Sequence, residues 1–339
     1  MKIAFVHNLR RDPNDEEQAE FDTPETVAQI HSALCASLNE VMLFDASQPL
    51  TELVPKLVAY APDLVFNTAE GQRGRARAAQ VPALLEMLGV PVVGSDAFVM
   101  AVTQDKWLTK QSAAALGIPT PPSRLLFGSM LPTLSQLSDA ELLPMVPGIV
   151  KPNYEGSSKG ISDDSVALSL SELRTVMVRQ LERYPQGVLV ERFLSGRDVT
   201  VPFVEALGAT IEDAVLSPIE YVVEAEYASK HNLYDYRLKN LDYTGLSLRC
   251  PAAIPESDRE RLRLYTAHLV RGLGIRDFAR ADFRVDEHGS LHFIEVNALP
   301  SLEYGAGLFV AAERAGYSYD ATISAIVSHA VRRIGDKPR

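Results

Sequence analysis

Cysteine, tryptophan and long apolar runs are scarce in this chain, and each scarcity excludes something. Its 339 residues include 2 Cys and 1 Trp. Cys35 and Cys250 stand far apart with no Cys-x-x-Cys or Cys/His cluster, which excludes a disulfide framework and a thiolate zinc site. Any metal is therefore expected to be oxygen-ligated. Apolar runs such as 90–94 and 188–190 fall far short of the roughly 20 residues needed to cross a bilayer. Basic charge is short as well, with 33 Lys+Arg against 44 Asp+Glu and a net charge of -11. A chain without a basic field gains little from a phosphate backbone, so neither nucleic acid nor a membrane is expected as a partner. Neither G-x-x-x-x-G-K-[ST] nor G-x-G-x-x-G occurs, and there is no internal repeat or low-complexity tract. What remains, 46% hydrophobic and 23% charged residues, describes a globular chain of two or three domains at about 100 to 200 residues each. Met1 to Val6 gives way at once to Arg10, Arg11 and the acidic 12–17 stretch, unlike a secretory leader, so the expected location is the cytoplasm.

Strands are expected at Lys2 to Val6, Val41 to Phe44 and Asp63 to Phe66. With helices at Gln29 to Leu38 and Ala79 to Leu88 and a strand at Pro91 to Val93, they form the alternation of a parallel α/β sheet. Thr103 to Leu116 reads as one helix stopped by Gly117-Ile118-Pro119, and Pro119 to Pro122 as a linker. Further on, Gly148 to Lys151 and Val188 to Glu191 read as strands around an amphipathic helix from Ser171 to Tyr184. Leu262, Tyr265, Leu269 and Leu273 keep helical spacing in a helix opened by Ser257-Asp258 and closed by Gly274.

The segment from Asp277 to Pro300 alternates with period two. Ala281, Phe283 and Val285 fall on one side, and Arg280, Asp282 and Arg284 on the other. Ile294 and Val296 then oppose Phe293, Glu295 and Asn297. If Glu287-His288-Gly289-Ser290 is the hairpin loop, Asp282 pairs with Glu295 and Arg280 with Asn297. Two adjacent carboxylates repel unless a cation sits between them, and an all-oxygen Asp, Glu, Asn set suits Mg²⁺ bridged to phosphates. An ordinary solvated hairpin face with alternating charge is the alternative. Lys151-Pro-Asn-Tyr-Glu-Gly-Ser-Ser-Lys-Gly160 offers backbone N–H groups and hydroxyls to a polyphosphate, with Lys151 as a point charge. The same loop satisfies G-x-S-x-G with Ser158 as nucleophile. Such an elbow needs a strand running straight into a helix, against which Pro152-Asn153-Tyr154 and the polar 161–165 stretch argue. The 7 His, His231, His268 and His292 among them, read as solvated or core residues.

Five motifs follow one another in order: Lys151-Pro-x-x-Glu-Gly-Ser-Ser-x-Gly160; Val190-Glu191 with Gly196-Arg197-Asp198; Tyr234-Asp235-Tyr236-x-x-Lys239; Arg280-x-Asp282; and Glu295-x-Asn297-x-x-Pro300. Together they resemble the D-alanine-D-alanine ligase branch of the ATP-grasp superfamily, and Gly94-Ser95, Asp105-Lys106 and Gly117 to Pro121 also fit its pattern. The resemblance implies an α/β, three-domain ATP-grasp architecture with an N-terminal parallel α/β domain. The expected limits are 1–95, 96–186 as the central lid and 187–339 as the catalytic unit. It implies ATP between the last two, with Lys106 and Lys151 on the phosphates under a loop of Glu155, Gly156, Ser157 and Ser158. Glu191, Phe193, Leu194 and Asp198 fall where adenine and ribose bind, Asp198 standing where Glu is usual. Asp282, Glu295 and Asn297 match the ligands of two Mg²⁺ ions, with Mn²⁺ as an alternative. Arg280 and Lys239 match the cations that offset charge on the transferring oxygens. The implied chemistry is carboxylate attack on the γ-phosphate followed by amine attack on the acyl phosphate.

Departures from the family pattern cluster on the substrate side. The family's tyrosine after Lys239 bonds to the serine matching Ser157 and closes a lid; here the residue is Asn240. Ser301 replaces a glycine and Ala306 a serine in the stretch that, with Gly307, holds the second substrate. The family's His-Gly segment is replaced by Asn67-Thr68-Ala69-Glu70-Gly71. Glu20 matches the glutamate that orients the first substrate's ammonium, the alternative being a solvated residue of an acidic loop. The resemblance thus implies an ATP-dependent ligase joining an amino acid to a second amino acid or amine in a specialised biosynthesis. Authentic D-alanine-D-alanine ligation and a catalytically silent ATP-binding regulator are the other readings. The family also implies small-molecule amino-acid substrates and a homodimer through the N-terminal unit.

Overall fold

The computed structural model describes residues 1–231, 233, 236 and 245–335. Continuous apolar runs build the middle of the first sheet, where parallel strands are buried on both faces. It contains β1 (Lys2–His7), β2 (Glu40–Asp45), β3 (Leu64–Asn67) and β4 (Val92–Val93) in the order β2-β1-β3-β4, all parallel. The helix Pro24–Ala36 starts at Thr23, whose side chain accepts from the Thr26 amide, with Pro24 in the first turn. On the opposite face lie Gln80–Leu88 and Leu50–Tyr60, the latter a helix that the sequence reading leaves unassigned.

Two antiparallel sheets follow. One contains β5 (Ser123–Leu126), β6 (Gly148–Pro152), β7 (Val166–Ala167) and β8 (Val188–Arg192) in the order β5-β8-β6-β7. The amphipathic helix Leu170–Arg183 covers it with Leu173, Val176, Met177 and Leu181, as its spacing predicts. The other contains β9 (Gly196–Val204), β10 (Ile219–Val223), β11 (Leu246–Arg249), β12 (Phe278–Asp286) and β13 (Leu291–Asn297). Its order is β11-β10-β9-β12-β13. Helix Glu256–Leu273 packs on this sheet and ends at Gly274, whose φ of 73° is one that a glycine adopts without strain.

The helix expected over Thr103 to Leu116 is two helices, Ala97–Gln104 and Lys106–Ala115. Asp105 breaks them apart: its backbone is extended and its carboxylate accepts from the Leu108 amide at 3.0 Å, which caps the second helix. The break lets both helices lay apolar residues on the third sheet, where Val99, Met100 and Ala113 share a core with Val201, Phe283 and Phe293. The first sheet is joined to the end of the chain in the same way, Phe5 and Phe66 packing in one core with Phe309, Ile323 and Ile326. Asp277, fully buried, fastens that joint by accepting from Gly94 N at 2.7 Å and Arg333 Nη2 at 2.7 Å.

Candidate active site

β12 and β13 pair Asp282 with Glu295 and Arg280 with Asn297, the register expected from the alternation. A β-bulge lies between Asp282 and Phe283, and beyond it Phe283 faces Phe293. One extra residue on a strand shifts the alternation by one, which corrects the expected placement of two side chains. Phe293 is fully buried, edge-on to Phe283 at 5.8 Å, and Ile294 lines the cleft beside Glu295. The polar face is not the solvated hairpin of the alternative reading: the Arg280, Asp282 and Glu295 side chains are 16%, 22% and 22% exposed.

Asp282 is held from three sides. Arg280 donates through Nε at 2.8 Å and Nη2 at 2.7 Å, Thr200 through its hydroxyl at 2.6 Å and Asn297 through Nδ2 at 3.1 Å. Lys106 Nζ lies 3.1 Å from Glu295 and donates to the Glu155 carbonyl at 2.5 Å. Burial opposes the charge of the Arg280 guanidinium, but Asp282, Tyr221 and Glu295 together outweigh it and push the pKa well above its ordinary value. Each carboxylate of the pair thus already faces a protein cation, as adjacent anions of low exposure require.

Beneath them Glu191 is gripped by Lys151 at 2.5 Å and by Lys110 at 2.9 Å. Burial opposes its charge, but the two lysines prevail and hold its carboxyl below the ordinary range. Lys110, fully buried, is brought down to about 8 by burial, with Glu191 pulling the other way. The sequence reading misses Lys110. Its one signal is the spacing of four from Lys106, which puts both on one helix face.

The loop after β6 turns twice, with Lys159 N bonding Gly156 O at 2.9 Å and Ile161 N bonding Ser158 O at 3.0 Å. No helix follows the strand directly, so Ser158 does not sit on a nucleophile elbow. Ser157 and Ser158 hold φ of 48° and 55°, a left-handed conformation that is strained for serine and that clusters at ligand clamps. Lys106, Lys151, Glu155, Gly156, Ser158, Glu191, Phe193 and Leu194 line one cleft together with Asp198, Asp282 and Glu295. Its apolar lining includes Ile149, Ile161, Phe193 and Ile294. Asp198 carries Arg284 at 2.9 Å across β9 and β12, and that guanidinium stands 5.7 Å from the centre of the Phe193 ring. Burial nevertheless raises the Asp198 pKa, against the pull of Arg284.

A second cavity meets this cleft at Gly156, Tyr221 and Arg280. Its walls include Glu20, Ser157, Asn297, Ser301, Ala306 and Gly307. Helix Gly307–Arg314 begins here with Ala306 at its N-cap, where no side chain bonds the first turn. Glu20 is not a solvated loop residue: it is 9% exposed and ion-paired with Arg77 and Lys159. Lys239 and Asn240 lie outside the described residues, as do Tyr234 and Asp235.

Residues 113–328 match the family model described as the D-ala D-ala ligase C-terminus. The chain belongs to the D-alanine-D-alanine ligase family. Members of this family are ATP-dependent ligases that form peptide bonds, on the ATP-grasp fold. A D-alanine-D-alanine ligase of Aquifex aeolicus is 31% identical over 281 residues, covering 82% of this chain and 86% of that protein. The solved D-alanine-D-alanine ligase of Bacillus anthracis complexed with ATP has a TM-score of 0.75 and 21% identity, covering 98% of each chain. The VanG D-Ala:D-Ser ligase of Enterococcus faecalis has a TM-score of 0.73 and 18% identity, covering 97% of this chain and 99% of that one. These two solved structures show a shared fold. D-alanine-D-alanine ligases work with ATP and Mg²⁺, and the donor set of this family member fits such a cation. Asp282, Glu295 and Asn297 offer only oxygen ligands on one face, and the positive charge of Arg280 and Lys106 already sits against the two carboxylates. Among the described residues, no helix is long and apolar enough to cross a membrane.

Proposed function

We propose that this protein uses ATP to join the carboxylate of an amino acid to the amine of a second amino acid or of another amine, in a specialised biosynthesis. The observation that carries the reading is the junction of two cavities at Arg280. One is lined by lysines and an apolar slot suited to a nucleotide, the other by the Ser301 to Gly307 stretch in which the family pattern is altered. In this reading Lys106, Lys151 and the loop of Glu155, Gly156, Ser157 and Ser158 hold the phosphates. Phe193 and Leu194 enclose the adenine over Glu191, and Asp198, fixed by Arg284, faces the ribose.

Asp282, Glu295 and Asn297 would hold Mg²⁺, which supplies positive charge to the phosphates; two ions, with Mn²⁺ as a substitute, belong to the proposal. A carboxylate oxygen of the first substrate attacks the γ-phosphorus, and the bond to the ADP oxygen breaks. The amine nitrogen then attacks the acyl carbon, loses a proton, and inorganic phosphate leaves with the bonding pair. Arg280 and Lys239 offset the charge that develops on the transferring oxygens, and Ser157 closes the loop over them. The first turn of helix Gly307–Arg314 presents backbone N–H groups to the carboxylate of the second substrate, with Ser301 on the same pocket; the family resemblance assigns Asn240, outside the described residues, to the same substrate. The family resemblance extends to a homodimer through the N-terminal unit, which sedimentation equilibrium tests.

D-alanine-D-alanine ligation is the second reading, favoured by the 31% identity to the Aquifex aeolicus ligase. Retention of Arg280 argues against a silent ATP-binding regulator, which has no oxyanion to neutralise. Phosphate release with MgATP across a panel of amino acids and amines, singly and in pairs, with mass spectrometry of the products, separates the three. A mixed product establishes the proposal, D-alanyl-D-alanine from D-alanine alone establishes the second reading, and MgATP binding without turnover establishes the regulator.

A further inference from the structure

Glu20 and Glu70 line the same cavity, yet they are placed in opposite electrostatic conditions. Lys159 Nζ lies 2.8 Å from Glu20 and 2.9 Å from Glu155, and Arg77 pairs with Glu20 and, at 3.1 Å, with Glu155. Two anions and two cations therefore close a neutral quartet between the N-terminal unit and the loop after β6. Arg77 also donates to the Tyr154 carbonyl at 2.9 Å. A Cβ on Gly156 would come within 2.2 Å of Glu20 Oε1, so a side chain there would push that carboxylate out of its place in the quartet.

Glu70 is half-buried, and none of the described residues gives its carboxylate a hydrogen bond or an ion pair. It lines the substrate cavity and also the small recess bounded by Lys106, Glu295 and Asn297. Burial and the neighbouring Glu20 push its pKa well above the ordinary range. Of the guanidiniums outside the quartet that line the same cavity, Arg10 donates to the Pro13 carbonyl and Arg280 to Asp282. A desolvated carboxylate in this condition is stabilised by a cation brought by the ligand. An ammonium bound at Glu20 would instead add a third cation to a quartet that is already neutral and compete with Arg77 and Lys159 for that carboxylate.

We propose that Glu70, and not Glu20, receives the ammonium group of the acid substrate, while Glu20 serves as the clasp that holds the loop shut. The assignment rests on the ligase reading above. It makes Glu70 the specificity-determining residue that selects α-amino acids over carboxylic acids without an amino group.

The test uses the full chain with MgATP, a panel of amino acids and, for each, the matching acid without the amino group, such as propanoate for alanine. ADP formation is followed for the wild type, E70Q, E70D and E20Q. In E70Q the KM for the amino acid is expected to rise about 30-fold or more with kcat little changed, while the acid lacking the amino group is unaffected. E70D keeps the charge and restores the preference, which separates a lost ammonium contact from a folding defect. E20Q is expected to lower kcat for both kinds of acid alike. An unchanged amino-acid KM in E70Q, or a wild type that prefers acids without the amino group, overturns the assignment and leaves the ligase reading standing. No ADP formation by the wild type with any acid or pair overturns both.

Discussion

The Lys110 ammonium lies 2.9 Å from the Glu191 carboxylate, the lysine side chain wholly enclosed and the glutamate 3% exposed. Glu191 lines the first cleft, and Lys110 behind it also donates to the Phe293 carbonyl at 3.2 Å, which ties helix Lys106–Ala115 to β13. Replacing Lys110 with Met keeps the volume but removes one of the two cations that hold Glu191. Breaking a buried pair from one side costs about 3 kcal/mol or more. Urea unfolding of Lys110→Met is expected to show that loss, and equal stability of variant and wild type would refute the assigned importance of the pair.

Asp282→Ala and Glu295→Ala each remove one carboxylate of the facing pair on β12 and β13 that is proposed to hold Mg²⁺. The fold should survive, because both side chains lie on the cleft face and not in the core. Turnover is expected to fall by about 1,000-fold or more in each, on the scale of a lost Lewis-acid interaction. Steady-state ADP formation, with circular dichroism as the folding control, decides it; full activity in either variant sinks the metal assignment.

Stability should carry a pH signature from Asp22. Burial pushes its pKa from 3.8 up to about 7, the Thr68 hydroxyl pulling down and Glu303 adding repulsion. The folded protein therefore keeps a proton that the unfolded chain releases at lower pH. The contribution is full below the unfolded value and is lost progressively as pH rises to about 7. Asp22→Asn stays neutral throughout. Its Tm is expected to exceed that of the wild type by several degrees at alkaline pH and to match it in acid. A Tm difference independent of pH would contradict this account.

At Ala306 the helix Gly307–Arg314 begins without a side-chain cap, in backbone geometry of φ −59° and ψ 154° that suits one. Ala306→Ser supplies a hydroxyl to the first-turn amides and is expected to add about 1 kcal/mol of stability in urea titration. The same hydroxyl faces the second cavity, so the KM of the amine substrate should shift with it while the KM for ATP does not.

Much of this site is legible in the chain because its signals are local. Period two in Arg280 to Val285 sets which residues share a strand face, and a short hairpin loop sets the pairing of Asp282 with Glu295. Helical spacing likewise gives Leu170–Arg183 and its buried residues. Where local signals fail, a longer-range contact has prevailed. Asp105 interrupts an otherwise continuous helical pattern because its carboxylate caps the second half, and both halves lay apolar residues on the third sheet. The bulge before Phe283 exchanges the places of Phe293 and Ile294, and no residue in the alternation announces it.

The sequence by itself determined the order of elements, the Gly/Ser loop after β6 and the carboxylate pair, because spacing along a strand or a turn fixes relative position within a few residues. Only the tertiary structure decided which charges neutralise each other. Arg77, Lys159, Glu20 and Glu155 come from separate segments of the chain, as do Lys110 and Glu191, and Coulomb energy depends on distances through space that folding alone sets.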